Sequence, residues 1–597
     1  MSKKSNILNP QIINIETGLE THKLDTIKKF PVKANLANYQ PLYDTFNYDK
    51  SLSDEIIYYA DGSLNVAYNA IDRHLVNGRK NKVAIYAIDN SLAVKKYTYN
   101  DLFILSNQAA NALVKLGVKK GDRVFIFLPR IIETYVITLA LARIGAIAGP
   151  LFSAFGPDAL KDRLLDSGAK VIVTDTNLKP RLESIKKNLP DLESIVVVGG
   201  KTAELDKNEY AYAEIISNQP KTFNNCHLKP EDPLYMLYTS GTTGKPKGVV
   251  HVQNDLKCQH MTTKWVLDLQ EDDIYWCTAD PGWVTGMVYG IYGPLSNGAS
   301  VVCFEPGFNA KAWFKVLEDL QVTVWYTSPT ALRMLMKEGF NLVKEYNLNA
   351  LRHILSVGEP LNPEVIRWGM EVFNLPIHDN WWQTETGSQM ISNLPCLPIK
   401  LGSMGKPLPG IYAAIVDDEG NELEPGQIGK LVLKPGWPSM FNSLWRDVER
   451  YDEYFKIKNW YFTGDNAWKD TDGYFWFIGR SDDVINTSGH RVGPFEVESA
   501  LLEHEYIVEA GVIGIPDEER GEIIKAFIVL KDGISESEEV LKDIKDFIKK
   551  QLAFHAYPRL IEVRDKLPKT RSGKIMRRLL KAQELGLPQG DLTGLDD

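Results

Sequence analysis

Cysteine is scarce in this chain. Five occur among 597 residues (Cys226, Cys258, Cys277, Cys303 and Cys396), scattered and without a Cys-x-x-Cys pair. That argues against a disulfide framework and a structural zinc site, and it fits a reducing, cytoplasmic compartment. Long apolar runs are missing too. The longest, residues 135–155, is interrupted by Arg143, Gly145, Gly149 and Pro150, a punctuation that membrane spans rarely carry. It is expected to be a buried helix running into a buried strand, with no membrane partner. The opening Met1-Ser2-Lys3-Lys4 is soon followed by Asn6, Asn9 and Gln11, so no signal peptide is expected. There is no excess of positive charge: 68 Lys and Arg against 77 Asp and Glu leave a net charge of −9. That argues against nucleic acid as a partner, and an anionic substrate has to be met by local positive clusters. Internal repeats and low-complexity tracts are absent. What is there is an ordinary globular composition, 44% hydrophobic and 24% charged, in a length that allows about four folding units.

Residues 1–60 are polar and aromatic by turns without a clear period, and are expected to lie over the body as an N-terminal extension. Then helix and strand patterns alternate. Asn100 is placed to cap a helix whose Leu102, Leu105, Ala109, Ala112, Leu113 and Leu116 share one face, with Gly117 closing it. Residues 124–128 read as a fully buried strand, and 171–173 and 195–198 repeat the pattern. This predicts an α/β protein of mostly parallel sheets covered by helices. From about 405 to 480, short strands with Gly, Pro and Asp turns predict a small barrel-like subdomain or sheet packed on the main body. Beyond 480–483 lies a smaller α+β unit with strands at 511–515 and 526–530. Its helix carries Val540, Leu541, Ile544, Phe547, Ile548 and Leu552, with Ser535 and Glu538 at capping-box spacing. The expected division is an extension (1–60), a large unit (61–480), a hinge (481–483) and a small C-terminal unit (484–597).

One run concentrates the chemistry: Thr239-Ser240-Gly241-Thr242-Thr243-Gly244-Lys245-Pro246-Lys247-Gly248, directly after the apolar Leu234-Tyr235-Met236-Leu237-Tyr238. Glycines let successive N–H groups point at one spot, hydroxyls donate to oxygens, and each lysine adds a compact positive charge. A flexible surface turn explains a Gly-Ser-Thr cluster, but explains poorly two lysines interleaved at this density after a strand. The run suits a polyphosphate. It is not a Walker A loop, because Pro246 stands where Ser or Thr must follow Gly244-Lys245.

Other segments are weaker alone. Asn380-Trp381-Trp382-Gln383-Thr384-Glu385-Thr386-Gly387 sets a carboxylate among hydroxyls, which suits Mg²⁺ but also a solvated or capping Glu. Ser356-Val357-Gly358-Glu359-Pro360 could let a flat base lie against backbone, or be a strand end. In Tyr461-Phe462-Thr463-Gly464-Asp465 the Asp can accept two ribose hydroxyls, or be a β-turn residue. Pro568-Lys569-Thr570-Arg571-Ser572-Gly573-Lys574-Ile575-Met576-Arg577-Arg578 is a solvated basic face, a nucleic-acid patch, or a loop presenting one ammonium.

Taken together, these motifs resemble, in order and over nearly the whole chain, those of the acyl-adenylate-forming (ANL) superfamily. Within it the chain is most similar to the AMP-forming acetyl-coenzyme A synthetases, through Asp280-Pro281-Gly282-Trp283-Val284-Thr285-Gly286 and the tryptophan pair. The resemblance implies ATP, Mg²⁺ and coenzyme A as cofactor and co-substrates, and acetate as the acid. It implies that Thr239, Ser240, Gly241, Thr242, Thr243, Gly244 and Lys245 hold the β- and γ-phosphates. Gly358, Glu359 and Pro360 would frame adenine, with Asp379, Trp381 and Gln383 beside the nucleotide. Thr384 and Glu385 would meet the α-phosphate and the metal, Asp465 and Arg480 the ribose, and Arg491 a phosphate. Lys574 would be the catalytic lysine, Asp482 the hinge, and Gly489 and Lys549 would face coenzyme A. Trp283, Val284, Thr285, Val357 and Trp382 would line the acyl pocket, with the rigid indole of Trp382 closing it to longer acids. Asn380, Met287 and the segment 492–496 differ from the acetate pattern, which keeps propionate and medium-chain acids as alternatives. A lysine acyltransferase and deacylase acting on Lys574 are further partners that the resemblance suggests.

Overall fold

Strands of the α/β type form two large sheets in the computed structural model, which describes residues 26–28, 33–52, 55–239, 246–487, 490–517, 519–552, 556–570, 574–587 and 589. The first has eight strands. Pro233–Thr239 and Lys247–Val252 pair antiparallel at one side, and Ile147–Pro150, Arg123–Phe127, Val171–Asp175, Ser194–Val198 and Glu209–Ala211 follow in parallel. The second has nine. At its centre His353–Ser356, Val324–Thr327, Ile274–Cys277 and Ser300–Phe304 run parallel, with Ile377–Trp381 beside His353–Ser356. Crossover helices cover these strands, so the strands are apolar on both faces, as in residues 124–127, which are all buried. The expected helix into strand at 135–155 is helix Ile132–Ile144 and strand Ile147–Pro150.

The short strands after 405 include a four-stranded antiparallel sheet of Ala413–Val416, Gly429–Leu433, Tyr461–Lys469 and Phe475–Arg480. The small C-terminal unit is built on one long hairpin, Ile507–Asp517 with Gly521–Leu530; its first strand is longer than expected at each end, and its second starts earlier but ends at 530 as expected. It has its own core, including Val497, Leu501, Val512, Ala526, Ile544 and Ile548.

Two helix starts differ from expectation. The cap of Tyr99–Lys115 is Thr98, whose hydroxyl accepts from Asp101 N while the Asp101 carboxylate accepts from Thr98 N. Asn100 lies inside the first turn. The helix Glu538–Gln551 is capped by Ser537, not Ser535. In both cases a second polar residue close by made the sequence signal ambiguous. Part of the expected extension is built into the main core: Leu36, Tyr39, Tyr48, Leu52 and Ile56 are buried in it, and the Tyr39 hydroxyl donates to the Pro407 carbonyl. Among the described residues no helix is long and apolar enough to cross a membrane.

Four core histidines make the fold acid-sensitive. Burial, the largest cause in each, lowers the pKa of His74 to about 3, of His260 and His378 to about 4, and of His353 well below its ordinary value. A histidine with a folded pKa below its unfolded one binds more protons when unfolded, so stability is lost as pH falls below about 6.5. Each group contributes a slope of about 1.4 kcal/mol per pH unit until its folded pKa is reached. Urea midpoints at pH 7.0, 6.0 and 5.0 should therefore fall progressively, and equal midpoints would overturn this account.

Candidate active site

The glycine-rich run joins two antiparallel strands, with Thr239 ending one and Lys247 beginning the next directly opposite it. Ser240 to Lys245, the tip of the run, lie outside the described residues. At its base, the Thr239 hydroxyl finds no partner among the described residues although it is buried, and Thr239 and Lys247 line a wide cleft. Side chains alternate along a strand, so Lys247 and His251 share a face. Each reaches the segment after Trp382. Lys247 Nζ lies 2.6 Å from Glu385 Oε1, and the Tyr454 hydroxyl donates to the same oxygen at 2.7 Å. Lys247 also donates to the Tyr454 hydroxyl. Burial alone would raise the Glu385 pKa; the Lys247 charge and the hydrogen bonds from Lys247 and Tyr454 together outweigh it and hold the carboxylate below its ordinary range.

His251 Nε2 donates to the Thr384 carbonyl at 2.8 Å, and its Nδ1 meets Asp255 Oδ2 at 2.5 Å. Both side chains are fully buried. One strand face thus holds residues 384 and 385 together, one through its backbone and the other through its carboxylate. The turn closes at Gly387, whose φ is +68° and whose missing Cβ would sit 2.3 Å from the Ser439 carbonyl. Only glycine fits there.

Asp465 is 3% exposed and is braced on both oxygens. Trp381 Nε1 and Gln383 Nε2 donate to Oδ2 at 2.9 and 3.1 Å, and Arg480 donates to Oδ1 at 2.9 Å. Burial pushes its pKa up against the pull of Arg480. Gln383 is fixed in turn, because its Oε1 accepts from Tyr461. Gly358, with φ +93°, lies in the loop after His353–Ser356. Glu359 turns its carboxylate to Thr330 and Arg333 at 2.6 and 2.8 Å, and Pro360 follows on the cleft wall. Asp379 is buried in strand Ile377–Trp381, and burial pushes its pKa well up.

Trp283, Val284, Thr285, Val357 and Trp382 line one part of the same cleft. The bend that brings them there needs Gly286, because a Cβ on it would lie 2.2 Å from the Asp280 carbonyl. On the opposite wall stands the C-terminal unit. Thr570 N donates to the Lys574 carbonyl at 2.7 Å and Lys574 N to the Thr570 hydroxyl at 3.1 Å, and the Lys574 side chain lines the cleft. Lys574 keeps solvent access because the cleft is wide, yet protein surrounds it. That crowding lowers its pKa, opposed by the charge of Glu359. Asp482 lies on the same cleft, 3.8 Å from Arg480. Asn362 Nδ2 donates to Ser499 Oγ across the two units at 2.8 Å.

The structure does not bring every expected residue together. Lys549 sits in the last turn of helix Glu538–Gln551 over the Tyr557 ring, 5.7 Å from its centroid, away from the cleft lining. Gly489 and the Arg491 side chain lie outside the described residues. Conversely, Lys247, Tyr454, His251 and Asp255 were not among the expected site residues. Lys247 stood in the glycine-rich run, and period-2 spacing from it could have pointed to His251. Tyr454 has no local signal, because it reaches Glu385 only through the fold.

The family model for AMP-binding enzymes matches residues 73–445, and that for their C-terminal domain matches 496–574. The chain belongs to the AMP-binding enzyme family. Among its relatives in the family, an acetyl-coenzyme A synthetase of Bacillus subtilis is 54% identical over 94% of this chain and 98% of its own. Another, of Methanothrix thermoacetophila, is 44% identical over 90% and 86%. Two solved AMP-binding relatives share the architecture of a large N-terminal and a small C-terminal domain. An anthranilate CoA ligase bound to anthranoyl-AMP has a TM-score of 0.81 and 32% identity, with 88% of this chain and 98% of that one covered. An acyl-CoA synthetase of Brucella canis has 0.72 and 35%, with 92% and 99% covered.

Proposed function

We infer that this AMP-binding enzyme ligates acetate to coenzyme A at the expense of ATP, through an acetyl-AMP intermediate. The observation that carries the reading is one cleft that gathers Thr239 and Lys247 at the base of the glycine-rich run, the Thr384–Glu385 turn, Asp465 with Arg480, the acyl-pocket residues and Lys574. The acetate carboxylate attacks the α-phosphorus and pyrophosphate leaves. The coenzyme A thiolate then attacks the acetyl carbonyl, and AMP leaves with the electrons of the broken C–O bond. The base of the glycine-rich loop faces the phosphates, with the orphaned Thr239 hydroxyl as a ready donor. Asp465 takes the ribose hydroxyls, and Gly358 to Pro360 frame the base. Lys574 stabilises charge developing on the α-phosphoryl group and the attacking carboxylate.

Mg²⁺ fits the donor set. It needs only one or two protein carboxylates, and the Glu385 carboxylate is held ionised beside a cation, Lys247. Glu385 would hold the ion, which neutralises phosphate charge when bound. The small domain rotates about a hinge at Asp482 between the two half-reactions, so that Lys574 withdraws and Gly489 and Lys549 are brought to coenzyme A. The five free cysteines support a cytoplasmic location. The solvent access of Lys574 within the cleft suits it to acylation and deacylation by partner enzymes.

The test is AMP release from ATP by the purified protein with coenzyme A, across acetate, propionate, butyrate and octanoate. A steep preference for acetate is expected. Preference for butyrate or octanoate would remove Trp382 as the pocket wall, and activity without free coenzyme A would remove the thioester step.

A further inference from the structure

Among the described residues, the indole N–H of Trp382 has no hydrogen-bond partner; the Tyr326 hydroxyl is nearby but outside bonding geometry. Its position therefore rests on what packs behind it. That is Tyr289, whose ring meets the indole edge-on, with centroids 5.0 Å apart and planes at 86°. Tyr289 in turn meets Tyr326 edge-on at 5.9 Å. Both tyrosines are completely buried and neither lines the cleft.

Unlike the indole, these two rings are tethered by hydrogen bonds of determined direction. The Thr262 hydroxyl gives its proton to the Cys258 carbonyl at 2.7 Å, so at 2.8 Å it accepts from the Tyr289 hydroxyl. The Tyr289 oxygen accepts from Gln389 N at 2.7 Å. The Gln389 side chain donates to the Tyr326 hydroxyl at 3.0 Å, which donates on to Asn380 Oδ1 at 2.8 Å. Asn380 Nδ2 ends the chain on the Ser356 carbonyl, next to Val357 of the acyl pocket. A buried polar chain satisfied at each of these links is rigid, and leaving one member unpaired is costly.

We propose that Tyr289 and Tyr326 are specificity-determining residues for the acyl group, fixing the indole of Trp382 through a buried hydrogen-bonded chain. This rests on the reading that Trp382 closes the acyl pocket. They act through Trp382 and touch no substrate, so they are positioning residues. With the rings locked, the indole has nowhere to retreat, and the pocket ends after a short acid. Shortening Tyr289 opens space behind the wall, into which the indole can move. Removing only a hydroxyl loosens the chain without opening space.

The experiment compares kcat/KM for acetate and butyrate, and KM for ATP, in the full-length enzyme and four variants. Tyr289→Leu should lower the acetate-to-butyrate ratio by at least about tenfold, since one or two methylenes in an apolar pocket are worth factors of roughly 10–200 each. Tyr326→Phe, which keeps the ring and the fold, should lower the ratio by a smaller factor of about three to five, on the order of 1 kcal/mol for one hydrogen bond. KM for ATP should stay within about twofold. Tyr292→Phe is the control: Tyr292 is equally buried and its hydroxyl has no partner among the described residues, so its ratio should not move. Trp382→Gly separates the two levels. If it admits butyrate while Tyr289→Leu and Tyr326→Phe keep the wild-type ratio, the proposal is wrong and the reading of Trp382 stands. If Trp382→Gly itself leaves the ratio unchanged, both fall together.

Discussion

Replacing Lys574 by alanine should abolish acetyl-AMP formation while largely sparing thioester formation from supplied acetyl-AMP and coenzyme A. The expected loss in acetate-dependent exchange of pyrophosphate into ATP is about 10²–10³-fold, the usual effect of removing one preorganised charge donor. The second half-reaction should change by no more than a few-fold. Two neighbouring cations, Lys569 and Arg577, cannot substitute, because they are already engaged with Glu509 and Glu498. Among the described residues, Lys574 has no such bonded carboxylate; it faces the longer-range charges of Glu359, Arg480 and Asp465. Lys574→Arg would keep the charge but enlarge and flatten the donor, so it should recover only part of the rate. Equal loss of both half-reactions would sink the assignment of Lys574 to adenylation alone.

Far from the cleft, Asp72→Ala should be the most destabilising of the simple core changes, by about 3–5 kcal/mol, because it strands a buried charge. Arg143, in helix Ile132–Ile144, is completely buried. Asp72 takes it bidentately, at 2.7 and 2.9 Å. Asn225 accepts from Arg143 and donates to Asp72, and Ser106 accepts from the third guanidinium nitrogen. Unfolding of the large domain in urea, followed by intrinsic fluorescence, measures the cost. Adding Arg143→Met should recover much of it, since removing both partners leaves no uncompensated charge. A single-variant cost below about 1 kcal/mol would show that solvent reaches the guanidinium after all.

Such a site illustrates where sequence reading stops. Arg143 was visible only as an interruption in an apolar run, which argued against a membrane span. Its partners at 72, 106 and 225 are scattered along the chain, and no periodicity links them. The same holds for Tyr454, whose hydroxyl reaches Glu385 69 residues away. Helix starts at Thr98 and Ser537 differ from expectation by two residues each, because capping is decided by which hydroxyl the backbone meets, and several candidates stand close together. Lys549 shared a helix with correctly expected core residues, but the orientation of that helix keeps it off the cleft.

Sequence by itself determined the class of fold, through apolar runs alternating with amphipathic ones, and the chemistry of the loops, because backbone freedom, hydroxyls and ammonium groups act locally. That Gly387 and Gly286 must be glycine was decided by the fold, which sets the Ser439 and Asp280 carbonyls where a Cβ would stand. Tertiary structure decided how the pieces serve one another. It set Lys247 and His251 on one strand face against residues 384 and 385, turned three donors onto Asp465, and placed two tethered tyrosines behind Trp382. Those arrangements depend on distances between segments far apart in the chain, and only packing of the sheets fixes such distances.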